Sequence, residues 1–185
     1  MEIENNKILN CSAHISLGVD NACNKTLKKY ENAIGIDKLC DLPQGHEAFS
    51  RNNTVLQMGL QALSKLLSPS HAQLPYSMYV VYKQWRIQNE KEIAGFLGFS
   101  GNRFGRNLQL VDTFLPHRQD LLEFFDEYVD EVSNKLVLAV SKYIKCQWFK
   151  LSCEAYSYIG KIFISPLFKT LGIDKAKMIK DENRN

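Results

Sequence analysis

A chain of 185 residues, 45% hydrophobic and 23% charged, suits one folded domain or a small pair with a sizeable core. A net charge of +3 is too small to argue for nucleic acid by itself, and no apolar run reaches the ~18 residues of a membrane-spanning helix, so no span is expected. The start, "MEIENNKILNCSAHISLG", lacks the basic stretch and apolar region of a secretory leader. Residues 1–20 are polar and weakly patterned and read as irregular, with a short helix expected from Asn21 to Ala33. Pro43 and Gly45 bring turn chemistry. From Thr54 to Leu67, apolar residues recur at three and four, which predicts an amphipathic helix. Pro69 and Pro75 break it. Tyr76 to Gln88 predicts the next helix, with a strand as the competing reading of "YSMYVVY".

Glu92 to Leu97 reads as a short helix, Gly98 to Ser100 as a turn, and Asn102 to Phe114 as a further helix. From Gln119 to Trp148 an apolar stripe runs through Leu121, Phe125, Val129, Val132, Leu136, Val140 and Tyr143, predicting one long amphipathic helix. Its first half is acidic and its second half basic, which complements the helix dipole. Residues 149–164 continue as helix or buried strand, Pro166 closes that segment, and a last short helix precedes the polar tail. The expected fold is therefore mostly α, a multi-helix bundle containing a helix-turn-helix-like unit and one long amphipathic helix. Its regions are an N-terminal helical or irregular part (1–72), the helix-turn-helix-like unit (73–118), a C-terminal helical part (119–180) and a polar tail (181–185).

Charge is unevenly spread. Residues 73–118 carry six basic side chains against three acidic, residues 119–134 carry six acidic and none basic, and residues 135–180 carry nine Lys against Glu154 and Asp174. Four of the ten glycines fall between Gly95 and Gly105. Their spacing fits neither the phosphate-binding P-loop nor the dinucleotide GxGxxG pattern. It does fit two short helices crossing closely: Ala94 at the crossing, Gly98 at the turn, and Ser100 to cap a second helix. Ile93, Leu97, Phe99, Phe104, Leu108 and Val111 supply a shared core. Asn102, Arg103, Arg106 and Asn107 then face outward, and Arg and Asn are the side chains that read guanine and adenine edges. A plain helical hairpin in an interaction protein is the other reading of the same residues.

The stretch "KEIAGFLGFSGNRFGRNLQLV" resembles the helix-turn-helix of the LuxR/GerE type, roughly K-E-I-A-x-x-L-x-I-S-x-x-T-V-K-x-H-x-x-x-I. Lys91, Glu92, Ile93, Ala94, Leu97 and Ser100 match directly, and Phe99, Phe104 and Val111 match by apolar type. "LPYSMYVVYKQWRIQN" is similar to that family's first scaffold helix. The resemblance covers about residues 74–115. It departs at Gly105, inside the second helix, where glycine costs about 1 kcal/mol relative to alanine. It departs again at Ile87, where a glycine usually ends the scaffold helix.

No catalytic constellation stands out. His46-Glu47 lacks the second His of a zinc protease helix, and the Cys11-x-x-His14 pair has no second pair at ligand spacing, so no metal or cofactor is expected. The five cysteines form no CxxC pair and read as reduced thiols, which points to a cytoplasmic setting. The acidic run from Asp120 to Glu131 reads as a solvated helix face. The functional expectation is a DNA-binding transcription regulator. Ser100, Asn102, Arg103, Arg106 and Asn107 would meet bases or phosphates, while Lys83, Arg86 and Lys91 grip the backbone. Helix 119–148 would pair two copies or bind a protein. The alternative is a non-enzymatic helical adaptor, chaperone or secretion-associated protein that binds a protein partner.

Overall fold

A computed structural model describes residues 2–36, 40–41, 53–98, 106–129 and 134–170. The fold is mostly α, built from several helices, and no strand occurs among the described residues. The first helix, α1 (Glu2–Ile34), contains the short helix expected from Asn21 to Ala33 and extends it back through residues expected to be irregular. It stops at Gly35, whose φ of 65° is the left-handed conformation that glycine adopts most readily. The inner face of α1 is mixed in polarity. Among Val19, Cys23, Leu27 and Ile34 it also carries Asp20, Asn24 and Glu31, and Asn24 and Glu31 are buried.

Helix α2 (Val55–Leu67) is the centre of the molecule. Thr54 opens it with a capping box: its hydroxyl accepts from the Gln57 N–H at 3.1 Å, and its own N–H donates to Gln57 Oε1 at 3.2 Å. Val55, Leu56, Leu60, Leu63, Leu66 and Leu67 are all buried, and burying one such side chain contributes about 1.5–3 kcal/mol. Gly59 lies on the same helix because a Cβ there would run into the Phe149 ring.

Helix α3 (Tyr79–Gln88) packs on α2, and its Tyr82 and Trp85 rings meet Phe124 with centroids 5.0 and 5.6 Å away. It ends in a Schellman arrangement: Lys91 N–H donates to the Arg86 carbonyl at 2.9 Å and Glu90 N–H to the Ile87 carbonyl at 3.2 Å. The left-handed position is held by Glu90, with φ 55°, where glycine is the usual occupant. Glu90→Gly should therefore stabilise the protein by about 0.5–1 kcal/mol, read as a rise of roughly 1–4 °C in melting temperature. An unchanged or lower melting temperature would show that the exposed Glu90 side chain contributes something the backbone geometry does not reveal.

Residues Lys91–Gly98 are not helical, which corrects the helix expected over Glu92–Leu97. Burial alternates instead, with Ala94 and Phe96 inside and Ile93 and Gly95 outside, the period of an extended chain. Ser64 Oγ fixes the segment on α2 by donating to the Leu97 carbonyl at 2.6 Å.

Helix α4 (Arg106–Tyr128) merges the end of one expected helix with the start of the next, and Pro116 lies inside it. The single long helix expected over 119–148 is also corrected. Asn134 is extended (φ −74°, ψ 115°), and its side chain accepts from Leu136 N–H at 2.9 Å to start α5 (Lys135–Lys145). Cys146, with ψ 118°, then separates α5 from α6 (Gln147–Ile159). A wide π turn, Gly160–Ile164, joins α6 to α7 (Ser165–Thr170) with helical angles at both junctions. The turn ends just before Pro166, which has no N–H to offer an earlier carbonyl. Gly160 lets this rod lie against α4, since a Cβ there would strike Leu108. Helices α4, α5 and α6 all pack around α2.

Candidate functional site

Among the described residues expected to grip DNA, Arg86, Lys91 and Asn107 are engaged within the protein. Arg86 is 1% exposed. One guanidinium nitrogen donates to Tyr82 Oη at 2.9 Å and to Asp120 Oδ2 at 3.0 Å, and the other lies 3.3 Å from His117 Nδ1. Lys91 donates to Asp120 Oδ1 at 2.7 Å and to Glu123 Oε2 at 2.5 Å, while its ammonium sits 4.9 Å from the centre of the Trp85 ring. Trp85 Nε1–H donates to Glu127 Oε2 at 2.7 Å. The acidic start of the expected long helix is therefore not simply a solvated face: Asp120, Glu123 and Glu127 receive the donors of α3 and the segment after it.

Electrostatics follow this geometry. Burial works to raise the Asp120 carboxyl, but the Lys91 hydrogen bond and the charges of Lys91, Arg86 and His117 outweigh it and hold the group below its ordinary range. Burial, then the neighbouring Arg86 charge, pushes the His117 imidazole below its usual value. The cluster has an acid, an imidazole and two cations, but each carboxylate oxygen of Asp120 already accepts from a cation. It reads as a clamp between α3 and α4.

The other expected contacts divide as follows. Asn107 is buried and its amide donates to Asp20 Oδ1 at 3.4 Å. Arg106 is half-buried and engaged within the protein, whereas Lys83 is exposed. Ser100, Asn102 and Arg103 lie outside the described residues. Among the described residues no group of His, Cys, Asp and Glu could hold a metal ion. Cys23, Cys40, Cys146 and Cys153 are free thiols, and burial together with the adjacent Cys146 thiol pushes Cys40 up to about 11.

Sequence reasoning missed a different surface. The rod formed by α6, the π turn and α7 buries Phe149, Ser152, Cys153, Tyr156, Ser157, Gly160 and Ile164. Its outer side carries Leu151 (46% exposed), Tyr158 (64%), Ile162 (46%) and Phe163 (61%), joined by exposed Ala155 and Pro166. Positions 151, 155, 158, 162 and 166 recur at helical spacing, so this is one continuous stripe. Polarity is partly inverted, with two serines inside and four large apolar side chains outside. The run "YIGKIFISPLF" was the available signal, but hydropathy alone does not say which way a helix with apolar residues on two sides will face.

No family model, curated protein or solved structure matches the chain. No described helix is long and apolar enough to cross a membrane.

Proposed function

We propose that this protein is a non-enzymatic helical docking module that seats on a partner through the outer stripe of the rod 147–170. The carrying observation is the exposure of Leu151, Tyr158, Ile162 and Phe163 along one side of a helix whose inner side already packs on α2 and α4. Large contiguous apolar patches on a folded surface mark interaction sites. This reading develops the helical-adaptor alternative and moves its contact from 119–148 to 147–170. The DNA-binding reading ranks second, because Arg86, Lys91 and Asn107 are engaged within the protein and Lys91–Gly98 is not a helix.

The test is hydroxyl-radical footprinting of Tyr158 and Phe163 in the purified protein and in intact cells that make it. Strong modification of the purified chain and protection in cells are expected. Equal modification in both settings would refute docking at this face.

A further inference from the structure

Resting on that docking reading, we infer that the occupant of the stripe is the surface of an anionic phospholipid bilayer. One edge of the rod carries Lys150, Glu154 and Lys161, at spacings of four and seven that keep them on one side of a helix, and Lys169 follows on α7 beyond the π turn. Glu154 is the single acid on the rod and is paired with Lys150 at 3.2 Å. Lys161 and Lys169 are exposed and make no ion pair among the described residues. The rod thus presents an apolar face with aromatic rings, bordered by positive charge, over a length of roughly 36 Å at 1.5 Å per residue. A helix of this kind lies in the plane of a bilayer, its apolar face sunk to the headgroup boundary and its lysine stems reaching back to the phosphates.

Charge also separates this occupant from a second copy of the chain. Antiparallel pairing of two such rods brings like edges together, and each rod carries three lysines against Glu154 alone, which Lys150 already engages. An anionic surface meets those lysines with opposite charge along the whole edge. Lipid also needs no shaped groove, and the stripe is the convex side of a surface helix.

The experiment is co-sedimentation of the full chain with phosphatidylcholine vesicles, with and without phosphatidylglycerol, at low and high salt. Binding to the phosphatidylglycerol vesicles is expected, at least about tenfold weaker on pure phosphatidylcholine and weakened by salt. Lys161→Gln with Lys169→Gln should weaken it about 25-fold, each lysine near an anionic surface counting for about fivefold. Ile162→Asp with Phe163→Asp should abolish it. Circular dichroism melting of both variants guards against misfolding, and an unchanged melt is expected because these side chains face solvent. No binding to anionic vesicles, or equal binding by wild type and both variants, would overturn the inference. So would a concentration-dependent dimer in sedimentation velocity that Phe163→Asp dissolves. If the footprint in cells is protected while vesicles fail to bind, the bilayer inference falls and the docking reading stands. If the footprint is unprotected, both fall.

Discussion

Asp120→Ala should lower the unfolding free energy by about 3–5 kcal/mol, measured by urea denaturation at neutral pH. The size of the effect comes from what stays behind. Asp120 is the carboxylate within reach of Arg86, whose side chain is almost wholly buried. Without it the guanidinium keeps only Tyr82 Oη and the edge of His117, and a buried cation loses its counter-charge. Lys91 retains Glu123 at the surface and relaxes at little cost. The pair itself need not be worth that much. Arg86→Met combined with Asp120→Leu should recover most of the loss, because apolar groups of similar volume replace both charges. A loss below about 1 kcal/mol for Asp120→Ala would mean that Arg86 finds water or another partner, and that the clamp behaves like a surface pair.

The same cluster sets an acid limit. His117 is held below its ordinary value, so the unfolded chain takes up a proton that the folded chain refuses. Stability is then complete above the usual imidazole range and declines below about pH 6.5. Asp120 is also depressed, so its contribution is present above the usual carboxylate value and is lost as the pH falls below about 4. Both signs agree, and the melting temperature should decline in two steps on acidification. His117→Gln should remove the first step, and Asp120→Asn should shrink the second, to which Glu123, held down by its Lys91 and Gln119 hydrogen bonds, also contributes.

How far the fold was legible depended on whether each helix hides an apolar face. Helix α2 was readable because Thr54 and Gln57 form a capping pattern ahead of a strong apolar periodicity, and nearly every side of the helix is buried. Helix α3 was readable from Tyr82 and Trp85, with its start displaced to Tyr79. The 119–148 stripe misled because α4 and α5 each bury a face, so the apolar beat continues past the helix start that the extended Asn134 marks. In Lys91–Gly98, residues spaced for a helix are pulled into an extended path by the Ser64 bond to Leu97 and by burial of Phe96, a tertiary contact that local pattern does not contain. The candidate surface was hidden for a related reason. Leu151, Tyr158, Ile162 and Phe163 look like core residues in sequence, and only the packing of Phe149, Cys153, Tyr156 and Ile164 on the opposite side leaves them outside.

Helix α1 was expected only over Asn21 to Ala33, as a short helix after an irregular start, and its attachment makes the second large prediction. Its inner face binds through polar groups. Asp20 accepts from Tyr156 Oη of α6 and from the Asn107 amide of α4, and Glu31 Oε1 accepts from Val55 N–H at 2.9 Å and Trp148 Nε1–H at 3.2 Å. Glu31 is 1% exposed, and it meets the first helical N–H of α2, where the helix dipole favours a negative charge. Tyr30 adds a stacked contact on the Trp148 ring, with centroids 5.6 Å apart. Glu31→Ala leaves both donors without that acceptor and should cost about 2–4 kcal/mol by urea denaturation. Glu31→Gln keeps an acceptor oxygen but loses the charge, and should cost about 1 kcal/mol. Trp148→Phe keeps a ring for Tyr30 and removes the indole donor, so a cycle combining it with Glu31→Ala should show a coupling of about 1 kcal/mol. Equal losses for Glu31→Ala and Glu31→Gln would mean that the charge at the start of α2, rather than the two shared hydrogen bonds, holds α1 to the rest of the protein.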